Sequence, residues 1–171
     1  MLGPRIWLVV SKVLCVCLLC VLWGCATEPA PQQAAKARTF ALGQRVEVGQ
    51  LIYTVLEIQW VPQLGEGPEA RLPANRFLIV RMTIGNSGSS AVPVPPLTLI
   101  GVDGASYNEV EEATPVHDWF GTLRRLEGVQ NRQGSVVFDA PRGEYKLKVL
   151  ANPFDTGDEN AALIEIPPQF E

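Results

Sequence analysis

Hydrophobic and polar residues follow a short-range pattern over most of the chain after residue 40. In brief stretches they alternate or cluster, and Gly, Pro, Asn and Asp separate one stretch from the next, as is typical of strands joined by turns. The stretches are 45–48, 51–60, 77–84, 97–102, 105–108, 135–138, 144–150 and 162–166. The pattern predicts an all-β protein, an antiparallel β-sandwich of about eight strands.

Three stretches predict further detail. Leu51, Tyr53 and Val55 occupy alternate positions and should share one face, with a bulge able to shift the register after them. Segment 77–84 is apolar almost throughout, which predicts a central strand. Segment 92–96 contains three prolines, which cannot donate to a ladder, so it should lie at an edge or in a crossover.

One segment departs from the β pattern, because its large apolar residues recur at helical intervals. These residues are Val116, Trp119, Phe120, Leu123 and Leu126. Thr114 can cap the start, Pro115 suits the first helical position and Gly128 can end the segment. The sequence therefore predicts one short amphipathic helix near 114–127, packed on the sandwich.

All four cysteines lie near the N-terminus, at Cys15, Cys17, Cys20 and Cys25. Basic residues, an apolar run and a small residue, in that order, are typical of a secretory signal peptide. The segment Leu22-Trp23-Gly24-Cys25 resembles the bacterial lipobox, in which the cysteine is lipidated and a signal peptidase cuts before it. We predict a lipoprotein signal peptide over 1–24 and attachment of acyl chains such as palmitate at Cys25. Trp23 is larger than the residue usual at its position, which bears on the efficiency of cleavage.

Two other interpretations of the N-terminus stay open. Segment 6–23 is near the lower length limit for a membrane-spanning helix, although Lys12 interrupts it, so it could be an uncleaved anchor. A metal site formed by the cysteines is disfavoured by their apolar surroundings. Lipidation and an uncleaved anchor both place the rest of the chain outside the cytoplasm. In a host with two membranes we expect the outer membrane facing the periplasm, and otherwise the outer face of the plasma membrane.

The remainder of the chain divides into a linker and a domain. Residues 26–39 contain two prolines and no large apolar side chain, so the lipidated Cys25 and this segment, 25–39, should form a flexible tether. Residues 40–171 should form a single β-sandwich domain.

Composition excludes several classes of function. Apolar residues make up 47% of the chain and charged residues 19%, as in ordinary globular proteins. The net charge of −4 argues against nucleic-acid binding, which requires a basic surface. His117 is the sole histidine, and on a helix it would not face its neighbour Asp118. We therefore predict that the protein is not an enzyme.

Few residues suggest a ligand. The acidic loop 155–159 could offer oxygen ligands to calcium, but such loops are usually only solvated, and we predict neither metal nor cofactor. Trp60, Trp119 and Phe120 should be core residues or, where exposed, contacts for a protein partner.

Four segments in order, 43–55, 76–86, 97–107 and 134–141, resemble a known family. It is the bacterial immunoglobulin-like domain of unknown function found on secreted proteins and lipoproteins, with a sandwich like that of a secreted mycobacterial immunogenic protein. Some members are labelled telomeric-repeat-binding factors, a role that an acidic, exported chain disfavours. The resemblance implies a fold and an extracytoplasmic address, and it brings no catalytic residues.

These observations together predict a membrane-anchored extracytoplasmic lipoprotein. Its non-catalytic immunoglobulin-like domain would bind a component of the cell envelope, which we expect to be a protein. The alternative is an accessory or chaperone subunit of an envelope protein complex. An exposed apolar patch would favour the first function, and co-purification with one stoichiometric partner would favour the second.

Overall fold

The structure is a computed structural model, and it describes residues 37–122, 124–155 and 158–168. Within these residues the backbone forms eleven strands and one turn of 3-10 helix at Gly67–Glu69. The strands are β1 Arg38–Phe40, β2 Val46–Val48, β3 Leu51–Val61, β4 Phe77–Asn86, β5 Val92–Val94, β6 Thr98–Gly101, β7 Ser106–Asn108, β8 Arg124–Leu126, β9 Asn131–Asp139, β10 Tyr145–Leu150 and β11 Ala161–Ile166.

Two sheets pack face to face as a sandwich. One has five strands in the order β1-β11-β10-β6-β7, and the other has four in the order β2-β3-β4-β9. β5 and β8 form a separate two-stranded ribbon. All pairs are antiparallel except β1 with β11. The predicted antiparallel β-sandwich is therefore confirmed.

The space between the sheets is filled by side chains at alternate strand positions, and we call this filling the main core. Its fully buried members include Tyr53, Leu78, Val80, Met82, Leu99, Phe138, Leu147, Val149 and Ile164. Burial of apolar surface is the largest favourable contribution to folding, at about 25 cal/mol per Å². The main core therefore accounts for most of the stability of the sandwich.

The bulge in β3 follows the sequence pattern. Leu51, Tyr53 and Val55 are buried on one face, and the register then shifts between Val55 and Glu57. Leu56 is left exposed, and the next inward residue is Ile58. The extra residue keeps both halves of this long strand facing the main core.

Two buried polar side chains fasten the sandwich internally. The Tyr53 hydroxyl donates to the Leu150 carbonyl at 2.9 Å and so links the two sheets. Its burial raises the pKa of Tyr53. The Asn86 amide, at the end of β4, donates to the carbonyls of Ser90 and Glu127 and so joins two neighbouring turns.

Several local predictions are confirmed. β6 and β7 form a hairpin through Asp103-Gly104, and Gly104 has the positive φ of 83° that this turn requires. The proline-rich β5 lies in the two-stranded ribbon, outside both large sheets. Three short strands, β1, β5 and β8, raise the count above the predicted eight. β1 begins at Arg38, so regular structure starts two residues before the predicted start of the domain at residue 40.

The predicted helix near 114–127 is wrong. Residues 114–118 form turns, Trp119 makes an isolated bridge to Ser135, and Arg124–Leu126 is β8. Asp118 and Gly121 have φ angles of 55° and 74°, which no right-handed helix accommodates. Among the described residues no helix is long and apolar enough to cross a membrane.

The two ends of the sandwich differ in what they connect. Because β1 runs parallel to β11, Ala37 lies at the same end as the loop that precedes β11. That end, the entry end, also carries turns 49–50, 87–91 and 127–130 and loop 151–160. The opposite end, the far end, carries loops 62–76, 102–105 and 140–144.

Candidate functional site

The outer face of the four-stranded sheet is covered over only part of its area. The covering consists of residues 62–71 and 110–120, which we call the outer layer. It buries a second apolar cluster against the sheet, formed by Leu64, Phe77, Val110, Ala113 and Val137. Val116 and Trp119 pack on this cluster, whereas Phe120 and Leu126 belong to the main core. Four of the five apolar residues of the predicted helix therefore serve two separate clusters, and the fifth, Leu123, lies outside the described residues.

Backbone hydrogen bonds to the outer edge of β9 hold segment 110–120 in place. Val110 donates its N–H to Val137 at 2.8 Å, and Phe120 donates to Ser135 at 3.0 Å. Ser135 in turn donates to the Asp118 carbonyl at 2.8 Å. A Cβ on Gly134 would lie 2.5 Å from that same carbonyl oxygen. Glycine at 134 is therefore what allows the segment to approach the strand so closely.

The other half of the outer layer, 62–71, is fastened to the first. Leu64 and Arg71 exchange backbone hydrogen bonds of 2.9 Å, which closes the loop on itself. The Arg71 guanidinium donates to the Glu112 carbonyl and lies 6.0 Å from the centroid of the Phe77 ring. The two parts of the outer layer thus support each other as well as the sheet.

A buried ion pair anchors the end of the outer layer. The side chains of Glu109 and Arg124 are 5% and 2% exposed, and Arg124 Nη1 lies 2.7 Å from Glu109 Oε2. The second guanidinium nitrogen, Nη2, contacts the other carboxylate oxygen, so the pair is bidentate. The carboxylate also accepts from Leu97 N–H, and the guanidinium donates to the carbonyls of Pro95 and Gly121. These contacts engage both charges, so the pair joins three loops structurally.

A groove of about 350 Å³ lies beside the outer layer, where the sheet face becomes open. Its floor includes Gln59, Ile79 and Arg81, and its walls come from 63–65 and 115–118. Apolar surface therefore alternates with amide and charged groups along the groove. This combination suits an extended polypeptide, whose side chains need apolar contacts and whose backbone needs hydrogen-bonding partners.

The rim of the groove carries paired charges. Arg81 lies 4.0 Å from Glu57, and His117 Nε2 lies 3.1 Å from Asp118 Oδ2. The helical geometry expected to separate His117 from Asp118 is absent, so the two neighbours do meet. The His117 side chain is 95% exposed, and such a solvated pair supplies only a weak electrostatic contribution.

Residues 40–161 match the family described as "Domain of unknown function (DUF4352)". The chain belongs to this family. No curated protein matches the sequence.

Solved structures share the fold of this DUF4352 domain. The yjhA protein from Bacillus subtilis is 17% identical with a TM-score of 0.58, and the match covers 74% of this chain and 98% of that one. The secreted protein MPT63 from Mycobacterium tuberculosis is 15% identical with a TM-score of 0.52, covering 78% and 99%. ycdA from Bacillus subtilis, described as a putative lipoprotein, is 11% identical with a TM-score of 0.54, covering 73% of this chain and 39% of that one. At these identities the likeness shows a common β-sandwich, and the predicted family resemblance is confirmed.

The aromatic residues predicted as possible contacts take different places in the DUF4352 domain. Trp60 and Phe120 are buried in the main core, and the Trp60 ring lies 6.2 Å from that of Tyr145. Trp119 is partly buried against the second cluster. Contact with a partner through Trp60 or Phe120 would therefore require the main core to open.

The remaining predicted sites lie partly outside the described residues. Cys25 and the whole of 1–24 fall there, as do residues 156 and 157 of the acidic loop. Asp155 accepts hydrogen bonds from Asn152, and Asp158 pairs with Lys148 at 3.0 Å. In the part of the chain that the structure describes, no group of three His, Cys, Asp or Glu residues could hold a metal ion.

Sequence reasoning missed Glu109, Arg124 and Gly134 in this DUF4352 domain. The ion pair joins Glu109, outside the regular strands, to Arg124 in the three-residue β8, and no period indicates that charges 15 positions apart will meet. Gly134 lies inside β9, and a glycine within a strand is a signal of close backbone approach that the sequence did contain.

Proposed function

We propose that this chain is an extracytoplasmic lipoprotein, anchored by acyl chains on Cys25, whose DUF4352 domain is a non-catalytic binding domain. The observation that carries the anchor is the N-terminal sequence: basic residues, an apolar run and Leu22-Trp23-Gly24-Cys25. The description of ycdA as a lipoprotein and of MPT63 as secreted supports an extracytoplasmic location. In a host with two membranes the domain would face the periplasm from the outer membrane.

In this proposal the signal peptide covers 1–24, and 25–39 links the lipid to the sandwich. Two or three acyl chains hold a protein on a membrane almost permanently, whereas one chain does so only reversibly. A permanent anchor suits a protein that must keep a partner at the envelope surface.

The groove beside the outer layer is the place where we propose that the partner binds. Its floor combines the partly buried Ile79 with the exposed Gln59 and Arg81, so both apolar and hydrogen-bonding contacts are available. The partner that this surface fits is another envelope protein, bound through an extended segment. A role without catalysis agrees with the solvated state of the His117–Asp118 pair.

The anchor is tested by the intact mass of the protein purified from membranes, beside a Cys25→Ala variant. We expect a mass that lacks residues 1–24 and includes acyl chains, and we expect the variant to be uncleaved or released. A membrane-bound protein of unprocessed mass would contradict lipidation at Cys25 and would favour an uncleaved helical anchor.

The binding groove is tested by photo-cross-linking in intact cells. A cross-linking side chain at Gln59 should capture one partner, whereas one at Lys146, on the outer face of the other sheet, should not.

Ile79→Lys should abolish the capture, and Thr83→Lys, on the same strand and face but outside the groove, should preserve it. Equal capture from Gln59 and Lys146 would contradict the proposed site. Co-purification of the whole protein with one stoichiometric partner would favour the accessory or chaperone role.

A further inference from the structure

Two apolar side chains project into solvent from turns at the entry end. Phe154, in loop 151–160, is 87% exposed, and Val129, in turn 127–130, is 78% exposed. Exposed residues at the far end include Leu72 and Val102. The entry end is distinguished by carrying an aromatic side chain and by lying where the chain enters the domain.

The turn that carries Phe154 is fixed by its own polar residues. The Asn152 side chain accepts from the Phe154 N–H at 2.8 Å. The Asp155 carboxylate accepts from both the backbone and the side-chain amide of Asn152, at 3.1 Å and 3.0 Å. The aromatic ring is therefore presented by an ordered turn, which reduces the entropy lost when it binds.

Val129 is held in an unfavourable backbone conformation. Its φ is 58°, and a β-branched residue with positive φ is an outlier whose strain must be offset by surrounding contacts. The Val129 N–H donates to the Gly88 carbonyl at 2.9 Å, and Gln130 donates to Glu127 at 3.2 Å. Gly or Asn would fit this position without strain, yet the chain places an exposed apolar side chain there.

The chain enters the described domain at its entry end, where Ala37 precedes β1. Cys25 precedes Ala37 by twelve residues, which span at most about 40 Å even when fully extended. The eleven-residue β3 indicates that the sandwich is about 33 Å long. A contact at the far end would require these twelve residues to run back along the whole domain, so the entry end needs the shorter reach.

We propose that Phe154 and Val129 insert into the bilayer that carries the lipid anchor, so that the sandwich stands on its entry end. This inference rests on the proposed lipidation of Cys25. The linker holds the domain near the surface at high effective concentration, so even a small insertion energy orients it. Asp158 pairs with Lys148 at 3.0 Å, and Arg38 lines the same pocket as Asp158 and Glu159. The entry end therefore carries charges of both signs, and its insertion does not depend on anionic headgroups.

The orientation is tested on the full lipidated chain, reconstituted in phosphatidylcholine vesicles with brominated acyl chains. Phe154→Trp places a fluorophore at the proposed contact, and Val102→Trp places one at an equally exposed position on the far end. Trp60 and Trp119 contribute the same background to both variants. An inserted indole lies about 5–10 Å into the headgroup boundary, so we expect the fluorescence of Trp at 154 to fall by about half and that of Trp at 102 to be unchanged.

Flotation of the same vesicles separates this inference from the proposed function. If both variants float and neither tryptophan is quenched, or both are quenched equally, the orientation is wrong while the lipid anchor stands. If the protein does not float, both proposals fail. Vesicles rich in phosphatidylglycerol should give similar quenching at 154, and quenching that occurs only with phosphatidylglycerol would overturn apolar insertion as the source of the contact. Loss of the cross-linked envelope partner in Phe154→Ser, with no quenching at 154, would assign the residue to a protein contact and overturn the membrane contact.

Discussion

The main core and the apolar cluster that the outer layer covers are both buried, but different kinds of residue specify them. In the main core, every second residue of long strands points inward, so the strands place their side chains by a simple period. In the outer layer, irregular segments are held by a few contacts between distant residues, such as Gly134 with Asp118 and Arg71 with Glu112. The main core depends on many similar residues, whereas the outer layer depends on a few particular ones.

Two leucines allow a direct test of this difference. Leu78 lies in the main core, Leu64 belongs to the outer layer and its second cluster, and both are at most 2% exposed. Leu→Ala substitutions cost about 2–5 kcal/mol, with lower values where the surroundings can collapse into the cavity. We expect a loss near the top of that range for Leu78→Ala and near the bottom for Leu64→Ala, measured as the free energy of unfolding in urea. Equal losses would mean that the outer layer is packed as rigidly as the main core.

Breaking the ion pair at the end of the outer layer should give the next largest loss in the free energy of unfolding. Arg124→Met leaves the Glu109 carboxylate buried without its counter-ion, which costs about 3 kcal/mol. The double variant Glu109→Leu/Arg124→Met removes both charges and should recover a large part of that loss. Urea unfolding of the two variants measures the difference, and a double variant less stable than the single one would show that the pair itself contributes net stability.

Gly134→Ala should detach the outer layer from β9. It should lower the free energy of unfolding by less than the loss of the ion pair does. The added methyl group meets the backbone oxygen of Asp118, and overpacking of this kind costs about 1–3 kcal/mol. Hydrogen exchange at the Phe120 amide should accelerate, because its bond to Ser135 is lost. Gly101→Ala is the control, since the one close approach of its methyl group is to the side-chain oxygen of Asp103, and its contacts with Ala105 and Tyr145, at 3.6 Å, are ordinary. Unchanged exchange in Gly134→Ala would contradict the proposed role of this glycine.

Tyr53→Phe should lower the free energy of unfolding least at neutral pH. In alkali it should change how stability depends on pH. Loss of the hydrogen bond to Leu150 costs about 1 kcal/mol. In the unfolded chain tyrosine ionises with a pKa of about 10, whereas burial keeps Tyr53 protonated above that pH in the folded state. The stability of the native protein should therefore fall as the pH rises beyond about 10, and the fall should be shallower in the variant. Tyr145, whose pKa is also raised by burial, contributes equally to both proteins, so identical slopes would exclude Tyr53 as a source.

The sequence pattern predicted the structure correctly where the geometry of a few neighbouring residues decides it. The alternation at Leu51, Tyr53 and Val55, the bulge after them and the hairpin at Asp103-Gly104 all follow from rules that act over a few residues. The interval between Val116 and Phe120 obeyed the same kind of rule and was misleading, because contacts with β9 override helical preference in that segment. A period cannot show which distant strand a segment will meet.

The candidate groove was beyond sequence prediction for a related reason. Its floor comes from β3, β4 and β9, and its walls come from residues about 50 positions apart in the chain, near Leu64 and Pro115. Side-chain type favoured the core for Trp60 and Phe120, where they do lie, with contact with a partner as the alternative had they been exposed. Lipidation of Cys25, by contrast, depends on a linear motif that a processing enzyme would read, and it stays a prediction of the sequence.

The strands that border the sheets bear on how many copies of this protein one membrane can carry. β1, β2 and β7 are three residues long, and the nine-residue β9 is capped along its outer edge by Val110 and Phe120. Long free edges invite strand pairing between neighbouring molecules and lead to aggregation. A protein confined to a surface, as we propose, meets other copies far more often than it would in solution. The short or capped edges at β1, β7 and β9 would limit intermolecular sheets there, whereas β3 extends well beyond the three residues that β2 pairs with.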